Sequence, residues 1–257
     1  MSKLYEAFVL IKGFSVVRMG NVEVTALLQD EGIYEQMYTN AGFVGDEKEF
    51  KKWKNDYVRA LYRSDTILDV YSCPSFIICG DLLTKLNLWK PTLPYCEEVE
   101  PWLQLIQTIQ MNTNKPIVVV NYFADEMKKQ CKRLKKIHPD FDIKDNFIFI
   151  KTKNTIRGNE DGTYSKNLAE LLERCKAVDA QHYFVGCGCY GLPLCDALKS
   201  NGRNAIYVGG LIQLLFGLRG KRWDSRKVIK DRINDAWIYP KRKPNNAEGV
   251  EGWCYGE

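Results

Sequence analysis

Between Pro116 and Val208 short apolar runs alternate with amphipathic stretches of helical length, and that rhythm constrains the fold more than any other feature. Pro116-Ile-Val-Val-Val-Asn121 carries no polar side chain from Ile117 to Val120, the pattern of a strand buried on both faces. Phe147–Ile150, His182–Val185 and Ala205–Val208 read as the strands that follow. Across 125–137, Met127, Cys131 and Leu134 fall at i, i+4 and i+7. Lys128, Lys129, Lys132, Lys135 and Lys136 fall elsewhere, which predicts a helix with a solvated basic face. Asn167 to Lys176 repeats the pattern with Leu168, Leu171, Leu172 and Cys175, and Leu192 to Ser200 forms a third helix that stops at Asn201-Gly202. Alternation of this kind requires a mostly parallel sheet with right-handed crossovers and helices on both faces. The fold class is therefore α/β, Rossmann-like.

The first part of the chain is less regular. Phe14–Arg18 reads as a strand ending at Gly20, 21–29 as a helix, Glu47–Arg63 as a highly charged helix and Ile67–Tyr71 as a further strand. Lys90-Pro-Thr-Leu-Pro94 reads as a joint between an N-terminal lobe (1–95) and a Rossmann-like C-terminal lobe (96–257), the two making one domain. A chain of 257 residues is the right size for that.

Lys and Arg exceed Asp and Glu by five, a balance that suits an anionic small ligand and falls short of a nucleic-acid binder. No apolar run reaches the roughly 18–20 residues of a membrane span. The apolar stretch near the start is interrupted by Glu6 and Lys12 and lacks a small-residue cleavage site, so no signal peptide is expected. Nine cysteines, scattered through apolar and helical patterns, read as free thiols of a reducing, cytoplasmic compartment. Cys187-x-Cys189 lacks the spacer of a zinc knuckle and only His138 and His182 could complete a site, so no structural zinc is expected.

Ligands of open α/β sheets bind outside the carboxyl ends of the strands. This directs attention to Arg18–Glu23, Asn121–Phe123, Gly186–Gly191 and Gly209–Gly210. Gly186-x-Gly188-x-x-Gly191, between a strand and a helix, has the form of a phosphate-binding turn. A dinucleotide site also needs an acid about 20 residues further on, and 206–210 contains none. A phosphate cradle survives this test better than a nicotinamide site; glycines serving only turn geometry are the plain alternative. From Gly209 to Trp223, two glycines and a short apolar helix lead to Arg219, Lys221 and Arg222, cations of the kind a pyrophosphate leaving group requires. A solvated basic face opening a helix over 225–235 is the bland reading, and a nucleic-acid patch is weakened by Asp224, Asp231 and Asp235. Asn21 and Glu23, two residues apart after a strand, could hold a divalent cation or orient a sugar hydroxyl, although Glu23 would also serve as an ordinary acid in a first helical turn.

These segments resemble the GT-D-type glycosyltransferases and their bacterial and large-virus relatives. In that family one strand ends in Gly-x-Gly-x-Tyr-Gly, matched by Gly186, Gly188, Tyr190 and Gly191. A later one ends in Gly-Gly-x-x-Gln-x-Leu-Phe-Gly-x-x-Gly-Lys-Arg-Trp, matched by Gly209, Gly210, Gln213, Phe216, Gly217, Gly220, Lys221, Arg222 and Trp223. A terminal Val-Glu-Gly-Gly-Cys-Tyr is matched by Glu251, Cys254 and Tyr255, with Trp253 in place of Gly. Arg18-Met-Gly20-Asn21-Val-Glu23 is similar to the family's Arg-Phe-Gly-Asp-Gly-Glu, with Asn21 where the family has Asp, a poorer ligand for a hard cation.

The resemblance implies a GT-D-like fold and transfer of a sugar from a nucleotide-sugar donor, a UDP-sugar, to a hydroxyl of a glycan or glycoprotein acceptor. It extends to enzymes decorating capsid glycans of algal viruses, which would place the chain in the host cytoplasm. Donor contacts would come from Arg18, Gly20, Asn21, Asn121, Gly186, Gly188, Tyr190, Gly191, Gly209, Gly210, Gln213, Arg219, Lys221, Arg222 and Trp223. Asn21 and Glu23 would meet a Mn²⁺ or Mg²⁺ ion, and Glu23 or Glu251 would act as general base. Two rivals remain: another nucleotide-dependent enzyme, using NAD(P) or a methyl donor at the Gly186–Gly191 turn, and a non-catalytic binder of glycan or nucleic acid.

Overall fold

The computed structural model describes residues 2–29, 33–69, 75–90, 92–94, 98–158, 160–224 and 226–241. Its strands are β1 Ser15–Arg18, β2 Thr66–Asp69, β3 Thr92–Pro94, β4 Ile117–Asn121, β5 Phe147–Lys151, β6 His182–Gly186 and β7 Asn204–Tyr207. They form one sheet in the order β3-β2-β1-β7-β6-β4-β5. Every pairing is parallel. Among the described residues eight α-helices of eight or more residues cover it: α1 Ser2–Leu10, α2 Asn21–Leu28, α3 Glu47–Arg63, α4 Ser75–Lys85, α5 Glu100–Asn112, α6 Ala124–Cys131, α7 Tyr164–Lys176 and α8 Gly191–Ser200. The α/β Rossmann-like architecture is thus what the alternation requires.

Alternate residues of each strand enter different cores, as the two-residue period dictates. Val16, Ile117, Val119, Phe184 and Ile206 pack on one face with Phe8 of α1, Trp102, Leu103 and Ile106 of α5 and Met127 of α6. Val17, Val118, Val120, Tyr183, Val185 and Tyr207 pack on the other with Trp53 and Tyr57 of α3, Cys79 of α4, Cys175 of α7 and Leu194 of α8. Each face buries apolar side chains that could not face water, at about 25 cal/mol per Å² of apolar surface removed.

Polar contacts fix how the helices sit. Asp46 caps α3 by accepting from the Glu49 amide, and Thr163 caps α7 by accepting from the Lys166 amide. Buried Asp196 of α8 pairs with Arg59 Nε at 3.1 Å and Arg63 Nε at 3.2 Å, docking α8 on α3. Asn204, fully buried, donates to Phe8 O and Ile11 O and accepts from the Phe14 amide, so β7 anchors the segment that leads into β1.

Several boundaries depart from the sequence pattern. Lys90–Pro94 contains an edge strand, β3, registered against β2, rather than a joint alone. The helix expected across 125–137 ends at Cys131 and resumes over Leu134–Ile137. Backbone near φ −115°, ψ 9° at Arg133 breaks it, and this lets Leu134, Ile137 and His138 all turn inward. The segment after Gly209 is a 3₁₀ helix, Gly209–Phe216, and the helix expected over 225–235 is shortened to a single turn of α-helix at Lys227–Lys230, with another at Lys221–Asp224 before it. Cys79, Cys131, Cys175, Cys187, Cys189 and Cys195 are free thiols, all but Cys187 buried. Cys73, Cys96 and Cys254 lie outside the described residues. Among the described residues no helix is long and apolar enough to cross a membrane.

Candidate functional site

An all-parallel sheet sends the carboxyl ends of its strands to one edge, so the turns singled out in the sequence share that edge. After β4 the chain leaves toward β5; after β6 it leaves toward β7 on the other side. Between these two strands lies a switch point of the kind that opens a crevice. Asn121 and Gly186 end the two strands as register partners. Asn121 Nδ2 donates to Gly186 O at 2.6 Å, and its Oδ1 accepts from the Phe123 amide at 2.9 Å. A β-carbon at Gly186 would stand 2.5 Å from Gly209 O and 2.7 Å from Ile212 Cγ2. The turns after β6 and β7 therefore touch.

The Gly186–Gly191 turn nevertheless departs from the open phosphate cradle its glycines imply. Gly188, at φ +55°, lies where a β-carbon would meet Ala41 O at 2.4 Å, and one at Gly191 would strike the Tyr207 ring at 2.2 Å. Tyr190 is buried, its hydroxyl 3.1 Å from Thr155 Oγ1 and 3.2 Å from Asn167 Nδ2, its ring stacked on Tyr164. The space that side chains at these positions would need is filled by Ala41, Tyr207 and the Gly209 backbone, so close packing alone calls for glycine at all three.

The stronger anion geometry is at Gly209–Gly210. Gly209 has φ +70°, and a β-carbon there would lie 3.0 Å from Arg18 Nη1, contributed by the last residue of β1. Gly210 is exposed, and a β-carbon there would lie 3.2 Å from Trp223 Cη2 and 3.9 Å from Arg222 Nη1. The Arg222 guanidinium sits 4.7 Å from the Trp223 ring centroid. Two guanidinium groups thus flank one Gly-Gly turn. Forked donors beside exposed backbone suit the oxygens of a diphosphate.

Other expected contacts are spent inside the protein. Gln213 is buried and donates to Leu218 O and Arg219 O, closing the turn that follows the 3₁₀ helix. Trp223 is core. Arg219 pairs with Asp224 at 3.4 Å and lies 4.4 Å from the Tyr239 ring centroid. Lys221 opens the short helix that carries Arg222 and is half-buried.

Asn21 and Glu23 separate. Asn21 is exposed, whereas Glu23 is 7% exposed and folds back on Gly20, where a β-carbon would fall 2.2 Å from its Oε2. Residues two apart on a helix point in different directions, so the spacing does not by itself pair these two side chains. Among the described residues no group of three or more His, Cys, Asp or Glu side chains assembles that could hold a metal. Around Glu23 stand two buried phenols that the sequence reading missed. Burial, and then the Glu23 charge, raise the hydroxyl pKa of both Tyr57 and Tyr207, while Arg18 acts in the opposite sense. Tyr207 also donates to Gly188 O at 3.2 Å. Tyr57 shares the helical spacing of Trp53, Ala60 and Leu61, so nothing in its position set it apart from core. Glu251, Cys254 and Tyr255 lie outside the described residues.

What fold and site define together is a Rossmann-like α/β chain with a cationic, glycine-lined carboxyl edge. No protein-family model matches this chain, and no curated protein and no solved structure matches it.

Proposed function

We propose that this chain is a glycosyltransferase that takes a nucleotide-sugar, a UDP-sugar, as donor and a glycan or glycoprotein hydroxyl as acceptor. The observation that carries this reading is the pair Arg18 and Arg222 flanking Gly209–Gly210, with buried Glu23 on the turn that follows Arg18. In transfer, the acceptor oxygen bonds to the anomeric carbon and the bond from that carbon to the diphosphate oxygen breaks. The diphosphate leaves with the electron pair, and the guanidinium groups stabilise the charge that develops there. The acceptor proton passes to a carboxylate, for which Glu23 is the candidate. Where a Mn²⁺ or Mg²⁺ ion takes part, Glu23 would be its protein carboxylate.

An NAD(P) or methyl-donor enzyme would rest on the Gly186–Gly191 turn, whose glycines close packing already explains. A purely binding role differs in one testable respect: Glu23→Gln would leave it intact, whereas transfer would be lost. The test is donor hydrolysis and thermal stabilisation with UDP-, GDP- and TDP-sugars, with and without Mn²⁺. UDP-dependent stabilisation with turnover supports the reading; absence of both overturns it.

A further inference from the structure

A cleft opens on the same edge of the sheet, with chemistry opposite to that of the Gly209–Gly210 turn. It has a volume of about 570 Å³ and is lined by the Tyr34 and Tyr38 rings, the Glu35, Asp46 and Glu49 carboxylates and Thr163. That volume lies within the range of about 300–1,000 Å³ typical of small-molecule sites. Its position follows from the backbone. Residues Met37–Ala41 form a π-helix, a local form frequent at functional sites. It lies on the turns that follow β6 and β5, with Ala41 against Gly188, Gly42 O accepting from Thr155 Oγ1, and Tyr38 against Gly158.

The walls are held in place. The Tyr34 ring makes edge contacts with Phe43 and Phe50 at 5.6 and 5.7 Å and its hydroxyl donates to Gly45 O, while the side chain remains 41% exposed. Asp46 accepts from the Glu49 amide through Oδ1, and Glu49 accepts from the Ser165 amide and hydroxyl through Oε2. Asp46 and Glu49 are thus each oriented through one oxygen and keep acceptor capacity on the other. Among the described residues, three acidic residues and no Lys or Arg line this cleft, in a chain of net charge +5. Such walls repel a phosphate. They suit a neutral polyhydroxylated ring, whose hydroxyls donate to carboxylates and whose C–H face lies on an aromatic ring.

The geometry points to this cleft as the carbohydrate-binding site of the molecule, taking an uncharged sugar ring. Its designation as the acceptor subsite rests on the donor reading above. Charge would then sort the two substrates: the nucleotide diphosphate to the guanidinium pair, the neutral glycan to the carboxylate and tyrosine walls.

The test is saturation-transfer NMR on the full chain with methyl glycosides of the common hexoses and pentoses, no nucleotide being present, and with spermidine as a cationic control. The wild type is expected to transfer saturation to at least one glycoside. Glu35→Gln and Tyr38→Ala should weaken that binding by about tenfold, roughly 1.4 kcal/mol, with cooperative unfolding retained. Arg222→Ala should leave it unchanged. Binding of spermidine alone, of no glycoside at all, or of a glycoside insensitive to both cleft variants overturns the inference. Glycoside binding here, with neither stabilisation nor turnover in the nucleotide-sugar assay, would sink the donor reading and leave the cleft assigned; a nucleotide-sugar effect in that assay without glycoside binding here would do the reverse.

Discussion

Asn121 and Gly186, at matched positions on neighbouring strands, are locked by a 2.6 Å hydrogen bond that closes the sheet edge where its connections diverge. The same carboxamide also holds the Phe123 amide. Asn121→Ala would leave a buried carbonyl and a buried amide without these partners, at about 1 kcal/mol or more each. A loss of about 2 kcal/mol in urea unfolding is expected, with unchanged slope.

Gly186 carries a sharper prediction. A methyl group there would meet a backbone carbonyl at 2.5 Å, which no rotamer change relieves. Gly186→Ala should cost about 3 kcal/mol, at the upper end of ordinary overpacking. Gly202→Ala is the control for surplus methyl groups: nothing lies within 4 Å of its β-carbon position, although its φ of +72° adds a backbone cost of its own. Calorimetry should rank Gly186→Ala well below Gly202→Ala in melting temperature.

Nucleotide binding should depend on the two guanidinium groups separately. Arg18→Ala and Arg222→Ala are each expected to weaken UDP binding by about tenfold, the order of one charge-assisted contact. The wild-type affinity should fall as salt is raised, and fall less steeply in either variant. Titration calorimetry at two ionic strengths reads both effects.

Stability should decline in mild acid. His138 is buried with Nε2 3.2 Å from Leu215 O, and burial pushes its pKa down to about 4. Burial lowers that of His182 as well. A base whose pKa is depressed on folding binds fewer protons folded than unfolded. Its stabilisation is complete above the unfolded value near 6.5 and is lost as pH falls from there to about 4. His138 accounts for on the order of 3 kcal/mol across that window. His138→Gln should flatten the dependence of the urea midpoint on pH.

Thiol labelling should report global unfolding. Burial pushes Cys175 up to about 12 and raises Cys189 and Cys195 as well. At pH 8 iodoacetamide should modify none of these three in the folded protein and all three in urea, as peptide mapping would show.

The second half of the fold was legible because its strands are buried on both faces: Ile117–Val120 needs no context to be read. Edge elements were not. Thr92–Pro94 contains proline and few apolar residues, so β3 looked like a joint until its pairing with β2 placed it. Strand order is fixed by contacts far apart in sequence, such as Val16 with Ile206, which local patterning does not encode. At the site, the turns singled out by spacing share one edge of the sheet, and Arg18 and Arg222 both approach Gly209–Gly210. Gly188, Gly191, Tyr190, Gln213 and Trp223 are closely packed, which spacing could not reveal, because a glycine that admits a ligand and one that admits Ala41 O or the Tyr207 ring leave the same mark in a sequence. The tyrosine-lined cleft was invisible for a related reason: the chain pattern of 34–49 shows no period that a π-helix would announce.

The central place of β1 has a consequence during synthesis. Residues 15–18 leave the ribosome early, yet one of the two strands that border them is made from residues 204–207. For most of translation that edge of β1 stays open, the kind of surface on which chains aggregate. Closure of so distant a contact also slows folding. A nascent chain halted before residue 204 should therefore cling to holdase chaperones, and release should coincide with the emergence of β7.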